Sequence, residues 1–129
     1  MQIVYLTVSQ VEAYHAQALK EHGGLHGLRS RELLESAVLQ PQQSAFTEDA
    51  YPTLAEKAAA YGYFLAENQP FIDGNKRTGA AAMEAFLNLN GLLLDQTEDQ
   101  IYEAFMKIAT KKWSRDDFFK WVVSATRED

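Results

Sequence analysis

The fold of this chain is decided by residues 68–79, which read NQPFIDGNKRTG and lie between two apolar segments with helical periodicity. Pro70 ends the first segment and Gly74 precedes the second. The second segment therefore carries Lys76 and Arg77 in its first turn. Unpaired N–H groups and the positive end of the helix dipole disfavour cations at that position. The sequence predicts that a bound anion balances this charge.

The composition of the stretch indicates what kind of anion. The candidate phosphate ligands are Gly74, whose lack of a side chain allows close approach, the Asn75 amide, and the cations Lys76 and Arg77. Asp73 would repel a phosphate unless a metal ion lay between them, and Mg²⁺ binds through one or two carboxylates plus substrate phosphates. A nucleotide triphosphate with Mg²⁺ on Asp73 fits this set. The alternative, in which Asp73 only caps the helix and the cations are solvated or paired with acids such as Glu84, has equal weight on these residues alone.

Outside this stretch, recurring helix-start signals predict the remaining helices. Capping-box spacings occur at Ser9–Glu12, Thr53–Glu56 and Thr97–Gln100. Ser114–Asp117 starts a last short helix, and Ser30 begins a further helix that Pro41 ends. The helix over residues 53–68 is predicted to be central, because its alanines and Gly62 let neighbouring helices approach closely. Strand signal is confined to Gln2–Val8 and Leu92–Leu94. We predict a compact all-α fold of about six helices, with at most a short extended N-terminus or hairpin.

Length and composition narrow the functional classes. The chain has 129 residues, which predicts a single domain over 1–129. A formal net charge of -6 disfavours direct binding of nucleic acid, and no apolar run reaches the ~20 residues that span a membrane. The absence of cysteine suits a reducing compartment, so the expected location is cytoplasmic.

The central stretch resembles the motif of the Fic/Doc family. In the Doc-like (death-on-curing) branch that motif reads His-Pro-Phe-x-Asp-Gly-Asn-Lys-Arg-Thr, and residues 69–78 differ from it only at the first position. Further similarity to Doc-like proteins lies in Gly23–Arg29, Leu33–Ala37, Gln40–Pro41, Tyr51–Ala58 and Phe86–Gly91. The resemblance therefore covers nearly the whole chain, and it implies a Fic fold.

The resemblance also implies an activity. Family members bind ATP with Mg²⁺ and transfer part of the nucleotide to a protein hydroxyl. In most of the family the transferred group is AMP. The Doc branch transfers the γ-phosphoryl group to a threonine of elongation factor Tu and thereby inhibits translation. Lys76 is the Doc-like residue where AMP-transferring relatives commonly have glycine, and Ala80 stands where many of them have a second arginine. The resemblance thus favours a kinase-type toxin of a toxin–antitoxin pair, with a Phd-like antitoxin as partner.

One departure from the motif falls on its catalytic position. Gln69 stands in place of the histidine that accepts the proton of the attacking hydroxyl in the family. A glutamine amide hydrogen-bonds a hydroxyl but does not take its proton. Three explanations stay open: an engineered inactivating change, a natural residue in an active member, and a natural residue in a member that binds nucleotide silently. The catalytic candidates are Gln69 at the general-base position, Asp73 and Lys76.

Other side chains carry weaker signals. His26 lies in a glycine-rich stretch and is interpreted as a solvated loop residue rather than a substitute base. His15 and His22 are two helical turns apart, too far to share a metal, so no zinc site is predicted. Phe71 is predicted to be a buried anchor of the loop. The C-terminal aromatics Trp113, Phe118, Phe119 and Trp121 are interpreted as core and edge residues.

Overall fold

The computed structural model describes residues 2–129, which form six α-helices, one 3₁₀ turn and two small sheets. In chain order the elements are α1 (Val8–His22), α2 (Arg31–Leu39), the 3₁₀ turn (Gln40–Gln42), β1 (Ser44–Ala45), β2 (Glu48–Asp49), α3 (Leu54–Asn68), α4 (Asn75–Leu89), β3 (Leu92–Leu94), α5 (Glu98–Ala109), α6 (Arg115–Ala125) and β4 (Thr126–Glu128). The predicted all-α fold of about six helices is confirmed. Over these residues, no helix combines the length and apolarity needed to cross a bilayer.

Helix α3 is central, as the sequence predicts. It packs against α2, α4 and α6, and its small residues Ala58, Ala59 and Ala60 are fully buried. Helix α4 lies along α3 and also packs against α1. Because α3 and α4 are consecutive, the short loop of residues 69–74 joins them at one end of the bundle, beside the end of α1.

The start of α1 differs from the prediction. The structure places the N-cap at Thr7 rather than Ser9, with a reciprocal capping box between Thr7 and Gln10. Both spacings satisfy the box pattern, so burial decides between them. Leu6 and Val11 flank the Thr7 cap and are 2% and 0% exposed, which forms the apolar contact that fixes a helix entry.

The predicted strand at Gln2–Val8 is wrong for the residues that the structure describes. Residues 2–7 lie outside both sheets. The Asn90 side chain takes the place of a neighbouring strand, because its amide accepts from the Val4 N–H (2.9 Å) and donates to the Val4 carbonyl (3.0 Å). The Leu6 N–H donates to the Tyr61 hydroxyl. Side chains thus supply the hydrogen-bond partners of the Val4 and Leu6 backbone groups in this segment.

The predicted strand at Leu92–Leu94 is confirmed, and its antiparallel partner is Thr126–Glu128. The sequence did not predict that C-terminal strand. It also did not predict the small hairpin of β1 and β2 within residues 42–52. The buried Lys57 of α3 holds the hairpin, since its ammonium donates to the Asp49 carboxylate and the Tyr51 carbonyl.

The remaining N-caps lie at the predicted residues, but the Thr53–Glu56 box is not reciprocal, because the Glu56 carboxylate accepts from the Thr53 hydroxyl instead of the Thr53 N–H. Thr97 and Ser114 each form a reciprocal capping box, and Thr53 and Ser30 each accept an N–H from the first turn of their helices. Among the C-terminal aromatics, Phe118 is fully buried and the other three are half-buried, so these residues are core and edge aromatics.

Candidate active site

The loop between α3 and α4 is bounded by two residues with left-handed backbone conformation. Helix α3 ends at Asn68, and Gln69 follows with φ 48°. Helix α4 begins at Asn75 after Gly74 with φ 78°. Glycine adopts this conformation without strain, whereas glutamine does so rarely. The sharp turn at each end makes residues 69–74 a compact loop that the surrounding structure must hold in place.

Arg29 holds the beginning of this loop. Its guanidinium donates to the carbonyls of Asn68 and Gln69, both at 2.6 Å. These carbonyls lie at the C-terminal end of α3, where unpaired acceptors and the helix dipole favour a cation. The Gln69 side chain is exposed, but its backbone is therefore fixed by Arg29, which lies 40 positions away in the chain.

The glycine-rich segment of residues 23–29 continues this support. The Pro70 carbonyl accepts from the backbone N–H groups of Arg29 and Ser30, and the Ile72 N–H donates to the Gly27 carbonyl. Segment 23–29 thus lies alongside the motif loop as an irregular antiparallel partner. His26 within it is exposed and hydrogen-bonds no group among residues 2–129, which agrees with its interpretation as a loop residue.

Phe71 is buried, as predicted, and stacks on another aromatic ring. It is 4% exposed and lies parallel to the His15 imidazole, with 3.7 Å between ring centroids. The Asn75 side chain fixes the Phe71 backbone, because its amide accepts the Phe71 N–H (2.9 Å) and donates to the Phe71 carbonyl (3.0 Å). One of the two N–H bonds of the Asn75 amide is therefore engaged within the loop.

Asp73 is exposed, and all three of its oxygens accept hydrogen bonds. Its carboxylate accepts from the backbone N–H groups of Leu25 (3.1 Å) and Gly74 (2.9 Å), while its carbonyl accepts from the His15 imidazole (2.8 Å). The two backbone donors fix the orientation of the carboxylate. Lone pairs remain on both carboxylate oxygens for a metal ion.

The Asp73 carboxylate fits Mg²⁺ as a single protein ligand. Among residues 2–129, no three histidine or acidic side chains cluster closely enough to enclose a metal ion. Mg²⁺ is commonly held by one or two carboxylates with substrate phosphates and water rather than by a cage of protein ligands. A single oriented carboxylate next to a phosphate site is sufficient for that arrangement.

The start of α4 presents unsatisfied donors and cations together. Within the described part of the chain, the backbone N–H groups of Asn75, Lys76 and Arg77 donate to no protein acceptor. The side chains of Lys76 and Arg77 are exposed, and neither forms an ion pair within 4.0 Å among residues 2–129. The alternative in which they pair with Glu84 is therefore not seen. The predicted ligands Gly74, Asn75, Lys76 and Arg77 are brought together with Asp73 around the same turn.

An open groove of about 490 Å³ begins at these cations and runs between α1, α4 and α5. Its far end is acidic, with Glu84, Glu98 and Asp99, while apolar side chains such as Ile101 and Phe105 line its floor. Burial, together with the nearby Glu98 carboxylate, raises the pKa of Glu84 above its ordinary range. The groove is thus basic at the motif and acidic two turns further along α4.

The raised pKa of Glu84 predicts a pH-dependent stability. The folded chain binds the Glu84 proton more tightly than the unfolded chain, so the free energy of unfolding falls as pH rises above the ordinary glutamate pKa. Glu84→Gln, which stays neutral, is expected to raise the melting temperature at pH 7 and to leave it unchanged near pH 4. Thermal unfolding at both values checks this, with the exposed Glu103→Gln as the matched control. An equal gain at both pH values would contradict the explanation.

Two residues at the site were missed by sequence reasoning. His15 was considered only as a metal ligand with His22, and Arg29 only as part of a similar segment. Within α1, His15 lies four residues from Val11 and four from Leu19, both of which are buried. This helical spacing indicates that His15 faces the core. Nothing in the sequence indicates that Arg29 reaches the end of α3.

Comparison with known proteins agrees with this geometry. The model of the Fic/DOC family matches residues 5–87, which include α1, the supporting segment, α3 and the motif loop with most of α4. The chain is also similar to a protein named toxin Doc from Mycolicibacterium smegmatis, with 41% identity over 96 residues that cover 73% of this chain and 74% of the relative. An oriented aspartate and an open helix start, set in a matching sequence over this length, show that the chain belongs to the Fic/DOC family.

Proposed function

We propose that the chain is a Doc-like toxin of a toxin–antitoxin pair, which transfers the γ-phosphoryl group of ATP to a threonine or serine hydroxyl of a translation factor such as elongation factor Tu. The observation that supports this most is the start of α4. Among residues 2–129, three N–H groups without an acceptor and two cations without an ion pair lie beside an oriented carboxylate. This combination suits a triphosphate with Mg²⁺.

In the proposed complex each residue has a definite part. Asp73 would hold Mg²⁺, which when bound neutralises phosphate charge. The N–H groups of Asn75, Lys76 and Arg77, and the Lys76 and Arg77 side chains, would bind and orient the phosphates. The absence of a side chain at Gly74 lets a phosphate approach the backbone. Phosphoryl transfer depends largely on such positioning and charge stabilisation.

The transfer itself exchanges one bond for another. The target hydroxyl oxygen bonds to the γ-phosphorus, the bond from that phosphorus to the bridging β–γ oxygen breaks, and ADP leaves. The hydroxyl proton must go to a base. Gln69 does not supply one, so in this chain the proton would pass to solvent or phosphate, and turnover is slow or absent.

Nucleotide binding is the first test. By calorimetric titration with Mg²⁺ and ATP we expect binding by the parent chain, and weakening by about 10- to 100-fold in Lys76→Ala and in Arg77→Ala, because each removes a charged hydrogen bond to phosphate. Lys112→Ala, which removes an exposed lysine outside the site, is the matched control. The proposal fails at its first step if the parent gives no heat, or if both variants bind as the parent does.

The alternative reaction is transfer of AMP. Doc-like Lys76 and Ala80 support phosphoryl transfer, because the resemblance associates both residues with the Doc branch, and Ala80 leaves the groove wall without a second arginine. In a Gln69→His variant, label on the target from γ-labelled ATP supports the proposal. Label only from α-labelled ATP would assign AMP transfer. A chain that binds ATP but labels nothing in either form would be a silent nucleotide-binding module.

An antitoxin partner follows from the same proposal. The relative is named a toxin, and a toxin of this class needs a protein that neutralises it. A partner segment seated in the groove between α1, α4 and α5 would cover Lys76 and Arg77, while the acidic end of the groove would suit basic residues of that partner. Relief, by a co-expressed Phd-like antitoxin, of the growth arrest expected from the Gln69→His variant is the measurement; arrest that persists in a stable complex would contradict this assignment.

A further inference from the structure

His15 is a buried imidazole that contacts the motif loop at Phe71, Asp73 and Gly74. It is 6% exposed, its ring stacks on Phe71, and its Nε2 lies 2.8 Å from the Asp73 carbonyl oxygen. A carbonyl oxygen only accepts, so Nε2 carries the hydrogen of this bond. The ring also lies under Gly74, since a Cβ placed on that glycine would be 3.6 Å from the His15 Cδ2.

The direction of the Asp73 carbonyl has a consequence for α4. A carbonyl in the residue before an N-cap can accept the N–H four positions on and extend the helix by one residue at its start. Among residues 2–129 the Arg77 N–H donates to no acceptor, the first helical bond runs from Thr78 to Gly74 (3.0 Å), and the Asp73 carbonyl accepts from His15. The bond from His15, together with the left-handed backbone of Gly74, thus keeps the Asp73 carbonyl out of the helical pattern and leaves the Arg77 N–H as a donor of the candidate phosphate site.

We infer that His15 is a positioning residue: by holding the Asp73 carbonyl, it fixes the start of α4 at Asn75 and keeps the Arg77 N–H available to an anion. The role in anion binding rests on the proposed function. The effect on the helix start does not, because it concerns hydrogen bonds within the chain.

The test distinguishes the contribution of the His15 ring, which stacks on Phe71, from that of its N–H, which donates to the Asp73 carbonyl. His15→Phe keeps a ring to stack on Phe71 but has no donor, whereas His15→Gln loses the ring and places an amide donor near the position of Nε2. His15→Asn, with a donor too short to reach, is a second variant without the bond, so a conclusion remains possible if His15→Phe does not fold. Thermal unfolding establishes that each compared variant is folded.

Two measurements follow. By amide hydrogen exchange, the Arg77 N–H is expected to exchange rapidly in the parent and His15→Gln, and about tenfold more slowly in His15→Phe and His15→Asn, because without the His15 bond Gly74 can turn to the helical conformation and the Asp73 carbonyl then takes that N–H. In calorimetry with Mg²⁺ and ATP, His15→Gln is expected to bind within about threefold of the parent, and the other two variants about tenfold more weakly.

The outcomes distinguish the two proposals. A parent that binds no ATP overturns the proposed function, while the exchange of Arg77 still decides whether His15 sets the helix start. Arg77 exchange that is equally fast in parent and His15→Phe, or in parent and His15→Asn, overturns the inference. So does a loss of ATP affinity in His15→Gln as large as that in His15→Phe, since the ring rather than the N–H would then matter.

Discussion

Replacing Gln69 by histidine is expected to raise the rate of group transfer to the target hydroxyl by about 10²- to 10⁴-fold, the usual contribution of a positioned general base. A neutral imidazole titrates near pH 7 and accepts the hydroxyl proton, which an amide does not. Gln69 is exposed, so the new ring has room. Its backbone has φ 48°, a left-handed conformation in which histidine is several-fold enriched.

The backbone argument supplies the control. Asparagine also tolerates the left-handed conformation but brings no base, so Gln69→Asn separates relief of strain from proton transfer. The rate of label transfer from γ-labelled ATP to purified elongation factor Tu is the measurement, with growth arrest on expression as a second readout. Equal rates for Gln69→His and Gln69→Asn would contradict the assignment of position 69 as the base.

The size of the gain also discriminates among the explanations for Gln69. A gain near the upper end of this range indicates a chain that is silent as it stands. A gain of only a few-fold indicates a member in which positioning and charge carry most of the catalysis. The Arg29 guanidinium fixes the carbonyl of residue 69 in either case, so it should serve a histidine as it serves the glutamine.

The largest expected loss of stability comes from Gly79→Ala, at the crossing of α3 and α4. A Cβ at Gly79 would lie 2.7 Å from the backbone carbonyl oxygen of Gly62 and 3.3 Å from Phe105. A backbone oxygen at the centre of a buried helix has little freedom to move, so α4 would have to shift away from α3. We expect the free energy of unfolding to fall by about 1–3 kcal/mol, the range for overpacking a well-packed core.

The sign of this result is informative, because alanine inside a helix is normally favoured over glycine by about 1 kcal/mol. Gly62→Ala is the graded comparison. Its added Cβ would meet side chains, with Met83 Sδ at 3.1 Å and Phe105 at 3.2 Å, which adjust more readily than a backbone. Urea unfolding should therefore rank the parent above Gly62→Ala and Gly62→Ala above Gly79→Ala. A Gly79→Ala variant as stable as the parent would show that the two helices are not in close contact.

Much of the site could be predicted from residues close together in the chain. The motif of residues 68–79 predicted both helix ends, the buried Phe71 and the grouping of Asp73 with Lys76 and Arg77. The identity of the side chains fixes these features, because caps, left-handed turns and helix dipoles act over three or four residues. Where two local patterns competed, as at Thr7 and Ser9, the sequence alone did not decide.

Features that join distant segments were not predicted. His15 meets the Asp73 carbonyl across 58 positions, Arg29 meets Gln69 across 40, and Gly62 meets Gly79 where two helices cross. The strand partner at the C-terminus and the use of Asn90 in place of a strand are of the same kind. By itself, the sequence determined the helices, their caps except that of α1, and the chemistry of the α4 start. Only the tertiary structure decided which donors remain free there, because that depends on acceptors and donors brought together by packing rather than by neighbourhood in the chain.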